Sequence, residues 1–315
     1  VRRIQLALEA MATRFELVIH GEELPPHLRA AGEEALSEIQ NLENRLSFYR
    51  PNSEIGRVNR FASQGPVQVS GGVFRLLQQA FRLYRRTHGA FDITVAPLMR
   101  CWGFVRGQGQ WPDSKTLKEA RALTGMQHLT LNEEDRTVSF QREGMSIDLG
   151  GIGKGYAIDE AIKILQECGV RRALLHGGTS TIAAIGAPPE TDAWRVALPT
   201  ARNNEKPLAV VDLHDEALSV SAEWGKAFSK GDKTYGHVID PRKGEPVQGA
   251  ELSAVTHRSA TIADALSTAL LVMTPEERAD MLSNLDAVRL LVAYGPANVY
   301  TNGIDLQQYA YSPKL

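Results

Sequence analysis

The first clear pattern in the chain falls at residues 12–20, where Phe15, Leu17 and Ile19 alternate with Arg14, Glu16 and His20. A period of two is that of a strand buried on one face. After Pro25-Pro26 the period lengthens: Leu28, Ala31, Ala35, Ile39, Leu42 and Leu46 recur at steps of three and four. That spacing predicts a helix with one buried face and its charges in solvent. Val73, Leu76, Leu77, Ala80, Phe81 and Tyr84 repeat the pattern, and Gly89 stands where a left-handed residue would end the helix. A third amphipathic stretch covers 156–168 and stops at Gly169. Strands are expected at 129–131 and 138–140 around an Asn-Glu-Glu-Asp turn, and at 173–176, 194–198, 209–213 and 237–239. Helices at 261–273 and 275–282 lead into an apolar strand at 287–293.

Strands and helices are interspersed without a regular βαβ rhythm, which predicts an α+β fold of mixed sheets and packed helices. No fixed repeat is present. Residues 186–192, with paired prolines, are the one linker-like stretch and are too short to separate independent domains. A single domain over residues 1–315 is therefore expected.

Composition narrows the functional classes. With 43% hydrophobic and 23% charged residues the chain reads as globular. Thirty-five basic against 37 acidic side chains leave a net charge of −2, so no field draws in polyanions and nucleic acid is not an expected partner. Cys101 and Cys168 are too few and too isolated for a disulfide framework or a thiolate metal cluster. Glu9, Arg14 and Glu16 interrupt the apolar stretch after Arg2-Arg3 before it could act as a leader. The nearest approach to a membrane helix, residues 263–273, falls short of the roughly 18 apolar residues required. The expectation is a cytoplasmic chain as given, or a periplasmic or lipid-anchored one if a leader has been trimmed.

Candidate chemistry begins with Asp148-Leu149-Gly150-Gly151-Ile152-Gly153-Lys154-Gly155-Tyr156 ahead of a helix. Bare amides at a helix N-terminus suit a phosphate or pyrophosphate. The run is neither a Walker loop, since Gly155 follows Lys154, nor a Rossmann fingerprint, since Tyr156 replaces the third glycine. Lys154 and Asp148 add a cation and a carboxylate; the bland alternative is a strand-to-helix turn. Asp264 and Thr268 lie one helical turn apart and offer hard oxygens of the kind Mg²⁺ takes, against the alternative of a helix start with a back-bonded threonine. His237 reads as an acid/base imidazole or a packed one, and Tyr49 as a lid on the core unless it meets a ligand.

The ordered set of motifs is more specific than any member. Met11-Ala12-Thr13, Ser47-Phe48-Tyr49 with Ser53-Glu54-Ile55, Ala90-Phe91-Asp92-Ile93-Thr94 with Pro97 and Trp102-Gly103-Phe104, the run from Asp148 to Tyr156, His237-Val238-Ile239-Asp240-Pro241, and Asp264-Ala265-Leu266-Ser267-Thr268 follow one another. In that order they resemble the ApbE-like FAD:protein FMN transferase family, from Met11 to about Met273.

The resemblance implies an α+β fold in two closely joined lobes around a flavin cleft, with FAD as substrate and Mg²⁺ as cofactor. It implies transfer of FMN to a Thr or Ser hydroxyl of an acceptor flavoprotein with release of AMP. Hydrolysis of FAD to FMN and AMP, or flavin binding without catalysis, are the alternatives. Carried over by position, Tyr49 would stack on a ring of FAD and Met11 would line the same pocket. Ala90, Phe91 and Asp92 would contact FAD, while Asp148 and Lys154 would hold its polar and phosphate parts. Gly151, Asp264 and Thr268 would hold the metal. His237 and Ile239 would border the diphosphate, with His237 as the base and Asp264 as its rival. Gly177-Gly178-Thr179 and Val220-Ser221-Ala222 depart from the family's usual Gly-Gly-Asn/Asp and Thr-Ser-Gly, which bears on acceptor docking and full transferase activity.

Overall fold

A computed structural model describes residues 2–23, 25–105, 107, 109–200, 207–283, 288–295 and 298–306. The chain begins with strands β1 (Arg2–Ala10) and β2 (Thr13–Gly21), joined by a two-residue turn in which Met11 and Ala12 both take positive φ, 50° and 58°. Helices α1 (Pro26–Leu46) and α2 (Glu54–Phe61), the short strand β3 (Val67–Gln68) and α3 (Gly71–Arg86) follow. Next come α4 (Ala96–Cys101), α5 (Ser114–Ala122), β4 (Leu129–Asn132), β5 (Thr137–Phe140) and α6 (Gly153–Glu167). The second half carries β6 (Ala173–Gly177), β7 (Thr181–Ile185), β8 (Trp194–Leu198), β9 (Ala209–Leu213), β10 (Ala217–Ala222), β11 (Ala227–Lys230), β12 (Lys233–Gly236), β13 (Ile239–Asp240), β14 (Glu245–Pro246) and β15 (Leu252–His257). The last described elements are α7 (Ala260–Val272), α8 (Pro275–Ser283), β16 (Arg289–Ala293) and β17 (Val299–Asn302).

Eight strands form one sheet in the order β1-β2-β6-β7-β10-β15-β16-β17, and every strand pair in it is antiparallel. Alternation along each strand divides its side chains between two cores. Phe15, Leu17 and Ile19 of β2 and Val255 of β15 face α1, α6 and α7 in the larger core. Leu218, Leu252, Ala254 and Leu291 face the other way, onto the β8–β9 hairpin. A third cluster, with Leu98, Trp102, Phe104 and Ile239, joins α4 and α5 to β13. The α+β class, with several sheets and packed helices, agrees with the sequence pattern, and the strand pairs of the named elements are antiparallel throughout.

Two local departures reposition motifs. Ser53 does not merely trail the first helix: its Oγ accepts the Gly56 amide at 2.8 Å and caps α2, which the pattern did not predict. The strand expected at 237–239 is broken, because β12 pairs with β11 only to Gly236 and β13 pairs with β14 from Ile239. His237 and Val238 link the two hairpins. By contrast, Gly89 takes φ +77° where α3 ends, its amide donating to the Tyr84 carbonyl at 2.9 Å. Of the strand expected at 287–293, Ala287 lies outside the described residues.

Candidate active site

Where the three cores meet there is a cavity of about 420 Å³. It is lined by Ala90, Phe91, Asp92, Asp148, Gly151, Lys154, His237, Ile239, Asp264 and Thr268, which the motifs had singled out across 179 positions of sequence. Met11 and Tyr49 do not line it. Met11 is held in the tight β1–β2 turn and packs half-buried on the larger core. Tyr49 is 61% exposed and borders a separate cavity; its ring stands edge-on to Phe48 and its hydroxyl donates to the Val105 carbonyl at 3.2 Å.

One wall is made by α6 and α7. The Gly155 amide donates to Oδ2 of Asp264 at 2.9 Å, and the Ser219 hydroxyl donates to Oδ1 at 3.2 Å. Asp264 is only 4% exposed, whereas a residue in the first turns of a helix is ordinarily solvated. Thr268 lies one turn on, donating to the Asp264 carbonyl at 3.3 Å, and its Oγ1 would be 3.2 Å from a Cβ at Gly151. The run from Asp148 to Tyr156 therefore does pass beside the Asp264–Thr268 face. Asp159, one turn along α6, fixes the start of α7. Its carboxylate accepts from the amides of Ala260 and Thr261 at 2.7 and 2.9 Å and from the hydroxyls of Ser259 and Thr261 at 2.6 and 2.5 Å.

Lys154, at the start of α6, lines the same wall and makes no ion pair among the described residues. Facing it, Asp148 accepts the Gly150 amide at 2.8 Å. Burial raises its carboxyl, the Gly150 hydrogen bond and the charge of Lys226 acting against that rise. Asp92, 6% exposed, accepts both the amide and the hydroxyl of Thr94, at 2.7 and 2.6 Å. Desolvation outweighs those bonds and pushes the carboxyl up to about 6. Burial lowers the imidazole of His237, assisted by the charges of Lys226 and Lys154 and opposed by the Lys226 backbone. Among the described residues its buried Nδ1 has no hydrogen-bond partner. Burial thus favours the neutral imidazole of His237, the form that accepts a proton.

Several residues of the cavity escaped the motif reading. Trp224, 40% exposed, lies on the rim. Behind the wall, a buried hydroxyl network runs from Thr181 to Ser219 (3.3 Å), from Ser267 to Ser219 (3.3 Å), and from Ser221 to Ser267 (2.8 Å) and Thr268 (3.3 Å). Small hydroxyl residues carry no spacing signature, so Thr181 and Ser219 went unread, and the pointers to the network were Ser267-Thr268 and the departure Val220-Ser221-Ala222.

Comparison with known proteins bears on the family and the fold. The ApbE family model matches residues 11–292. A FAD:protein FMN transferase of Vibrio cholerae is 30% identical over 81% of this chain and 76% of its own length. One from Escherichia coli K12 is 32% identical over 75% of this chain and 69% of its own. Among solved structures, the ApbE protein of Thermotoga maritima superposes with a TM-score of 0.85 at 25% identity, covering 96% of this chain and 97% of that one. The flavin transferase ApbE of Vibrio cholerae gives 0.81 at 25% identity, with the same coverage. Motif order, cavity and matched length lead to one assignment: the chain belongs to the ApbE family.

Proposed function

We propose that this chain transfers the FMN moiety of FAD to a threonine or serine hydroxyl of an acceptor protein, with Mg²⁺ in support and AMP as the leaving group. The observation that carries the reading is the wall on which Lys154, Gly151, Asp264 and Thr268 stand together. The names of the relatives, FAD:protein FMN transferase, support FAD as donor and a protein as acceptor. The donor set fits Mg²⁺: a carboxylate, a hydroxyl and a backbone carbonyl are all hard oxygens, and Asp264 keeps lone pairs beyond the two hydrogen bonds it accepts. Asp264, Thr268 and the Gly151 carbonyl would hold the ion, which when bound supplies charge withdrawal from the diphosphate oxygens.

The chain's own residues supply binding and proton transfer. The Lys154 ammonium, at a helix N-terminus, neutralises diphosphate charge. A bond forms between the acceptor oxygen and the phosphorus of the FMN moiety, the bond from that phosphorus to AMP breaks, and the hydroxyl proton must be taken up. His237, whose neutral form burial favours, is assigned that proton. Asp264 is assigned to the metal and not to the proton.

Incubation with FAD and Mg²⁺, with and without an acceptor flavoprotein, tests this by AMP release. Release that depends on the acceptor is expected. Equal release without it makes the chain a FAD pyrophosphatase, and binding without release makes it a flavin-binding protein; either result overturns the proposal.

A further inference from the structure

Strand β10 pairs with β15 along all six of its residues but with β7 only from Ala217 to Ser219. The last contact on the β7 side is the Val220 amide donating to the Ser180 carbonyl at 2.7 Å. Beyond it the β6–β7 turn carries the chain away, since the Gly178 amide bonds back to the Arg14 carbonyl at 2.9 Å. Among the described residues, the register fixes which groups are left over. Glu223 and the odd-numbered residues before it point their amides and carbonyls to β15, as the Glu223 to Glu251 bond at 3.0 Å confirms. Ala222 therefore turns its N–H and C=O to the side that β7 has vacated, and that side is the cavity.

The same register carries a precedent for what belongs there. Directly opposite residues on adjacent antiparallel strands project side chains from the same face. Thr181 of β7 is opposite Ser219, and its hydroxyl lies 3.3 Å from the Ser219 hydroxyl on the face covered by α7. One pleat further, Ser221 projects from that same face, with its hydroxyl 3.3 Å from Thr268 Oγ1. A hydroxyl residue opposite Ser221 would stand to Ser221 as Thr181 stands to Ser219, beside the Asp264–Thr268 pair.

Resting on the function proposed above, we infer that the acceptor enters as a short extended segment in the line vacated by β7. It runs antiparallel to β10, as every strand pair in this sheet does. Its threonine or serine lies opposite Ser221, and the residue before that one exchanges both backbone hydrogen bonds with Ala222. Ser180 blocks the next position, so the segment leaves the sheet after the acceptor residue. Recognition is by main chain, as in strand addition to an open edge, and the substrate class is an extended hydroxyl-bearing segment rather than a folded surface.

The test leaves the enzyme unaltered. A pool of eleven-residue peptides with a fixed central threonine and all other positions varied is incubated with the wild-type protein, FAD and Mg²⁺, and flavin attachment is read by fluorescence. A modified peptide is then remade with a single N-methylated amide at each position around the threonine. Methylation of the residue immediately before threonine should lower kcat/KM at least tenfold, and methylation of threonine's own amide should lower it less than threefold. Equal losses at both amides, or the larger loss at threonine, overturn the pairing. FAD turnover supported by a folded acceptor but by no peptide in the pool also overturns it while leaving the proposed function intact. Absence of FAD binding and turnover with any acceptor instead defeats the function itself.

Discussion

Gly155 and Asp264 are joined by a hydrogen bond from backbone amide to carboxylate at 2.9 Å, which ties the glycine run directly to the helix bearing the metal-type oxygens. The approach is possible only because residue 155 lacks a side chain. A Cβ there would collide with the Ala260 carbonyl oxygen and lie 2.8 Å from the Asp264 Cβ.

Gly155→Ala should therefore force α6 and α7 apart. Overpacking of this kind costs about 1–3 kcal/mol, visible as a lower midpoint in urea unfolding. Mg²⁺ affinity, followed by calorimetry in the presence of FAD, should fall in the same variant. Unchanged stability would mean that the helices slide apart freely and that the contact is incidental.

Asp264→Asn retains the volume and can still accept from Gly155. Its folding loss should stay within about 2 kcal/mol, the scale of one weakened hydrogen bond, while Mg²⁺-dependent turnover disappears. Asp264→Ala should be less stable than the Asn variant, because it leaves the buried Gly155 amide without its acceptor, whereas the Ser219 hydroxyl can still turn to the Ser180 carbonyl. Turnover that survives in the well-folded Asn variant would remove Asp264 from the metal site.

Asp92 should leave a pH signature. Its carboxyl titrates near 6 in the folded chain against an ordinary 3.8, so between those values the native state holds a proton that the unfolded state has lost. Stability thus falls as pH rises through that window, by about 3 kcal/mol in total, and the loss is complete above pH 6. Asp92→Asn should gain on the wild type steadily from pH 4 to pH 6.5. A stability difference between the two proteins that is independent of pH would contradict the desolvated carboxyl.

The sequence was most legible where one face of an element is apolar and the other charged. The face of α1 from Leu28 to Leu46, and the alternation of β2, announce themselves because solvent and core impose opposite chemistries. Strands β10 and β15 did not, for a physical reason: Ser219 and Ser253 on the face toward α7 and Thr256 on the other face are all fully buried, so hydroxyls lie inside on both sides and no polar alternation remains. The site divides similarly. Lys154, Asp264 and Thr268 could be read from charged or metal-type chemistry at fixed spacing. Trp224 and Lys226, brought in by the turn between β10 and β11, have no such marker. Tyr49, carried over by resemblance, stands beside a different cavity because the link from α1 to α2 keeps it exposed.

Lys154→Met retains the stem and removes the ammonium. Charge-assisted contacts to phosphate are worth about 1.5–3 kcal/mol, so FAD should bind at least roughly tenfold more weakly while riboflavin, lacking the diphosphate, is barely affected. Added salt should erode FAD binding to the wild type more than to the variant. Equal weakening of both ligands would make Lys154 a packed stem and remove its phosphate role.

The four hydrogen bonds from the α7 N-terminus to Asp159 have a mechanical consequence. They pin α7 to α6 one turn beyond the Gly155 contact, so Lys154 and Asp264 ride on a single stiff unit and keep their separation whatever occupies the cleft. His237, by contrast, lies outside that unit, on the link between two short hairpins. The molecule is in this sense an anvil: the charge of whatever enters the cleft is met by a surface already fixed in place.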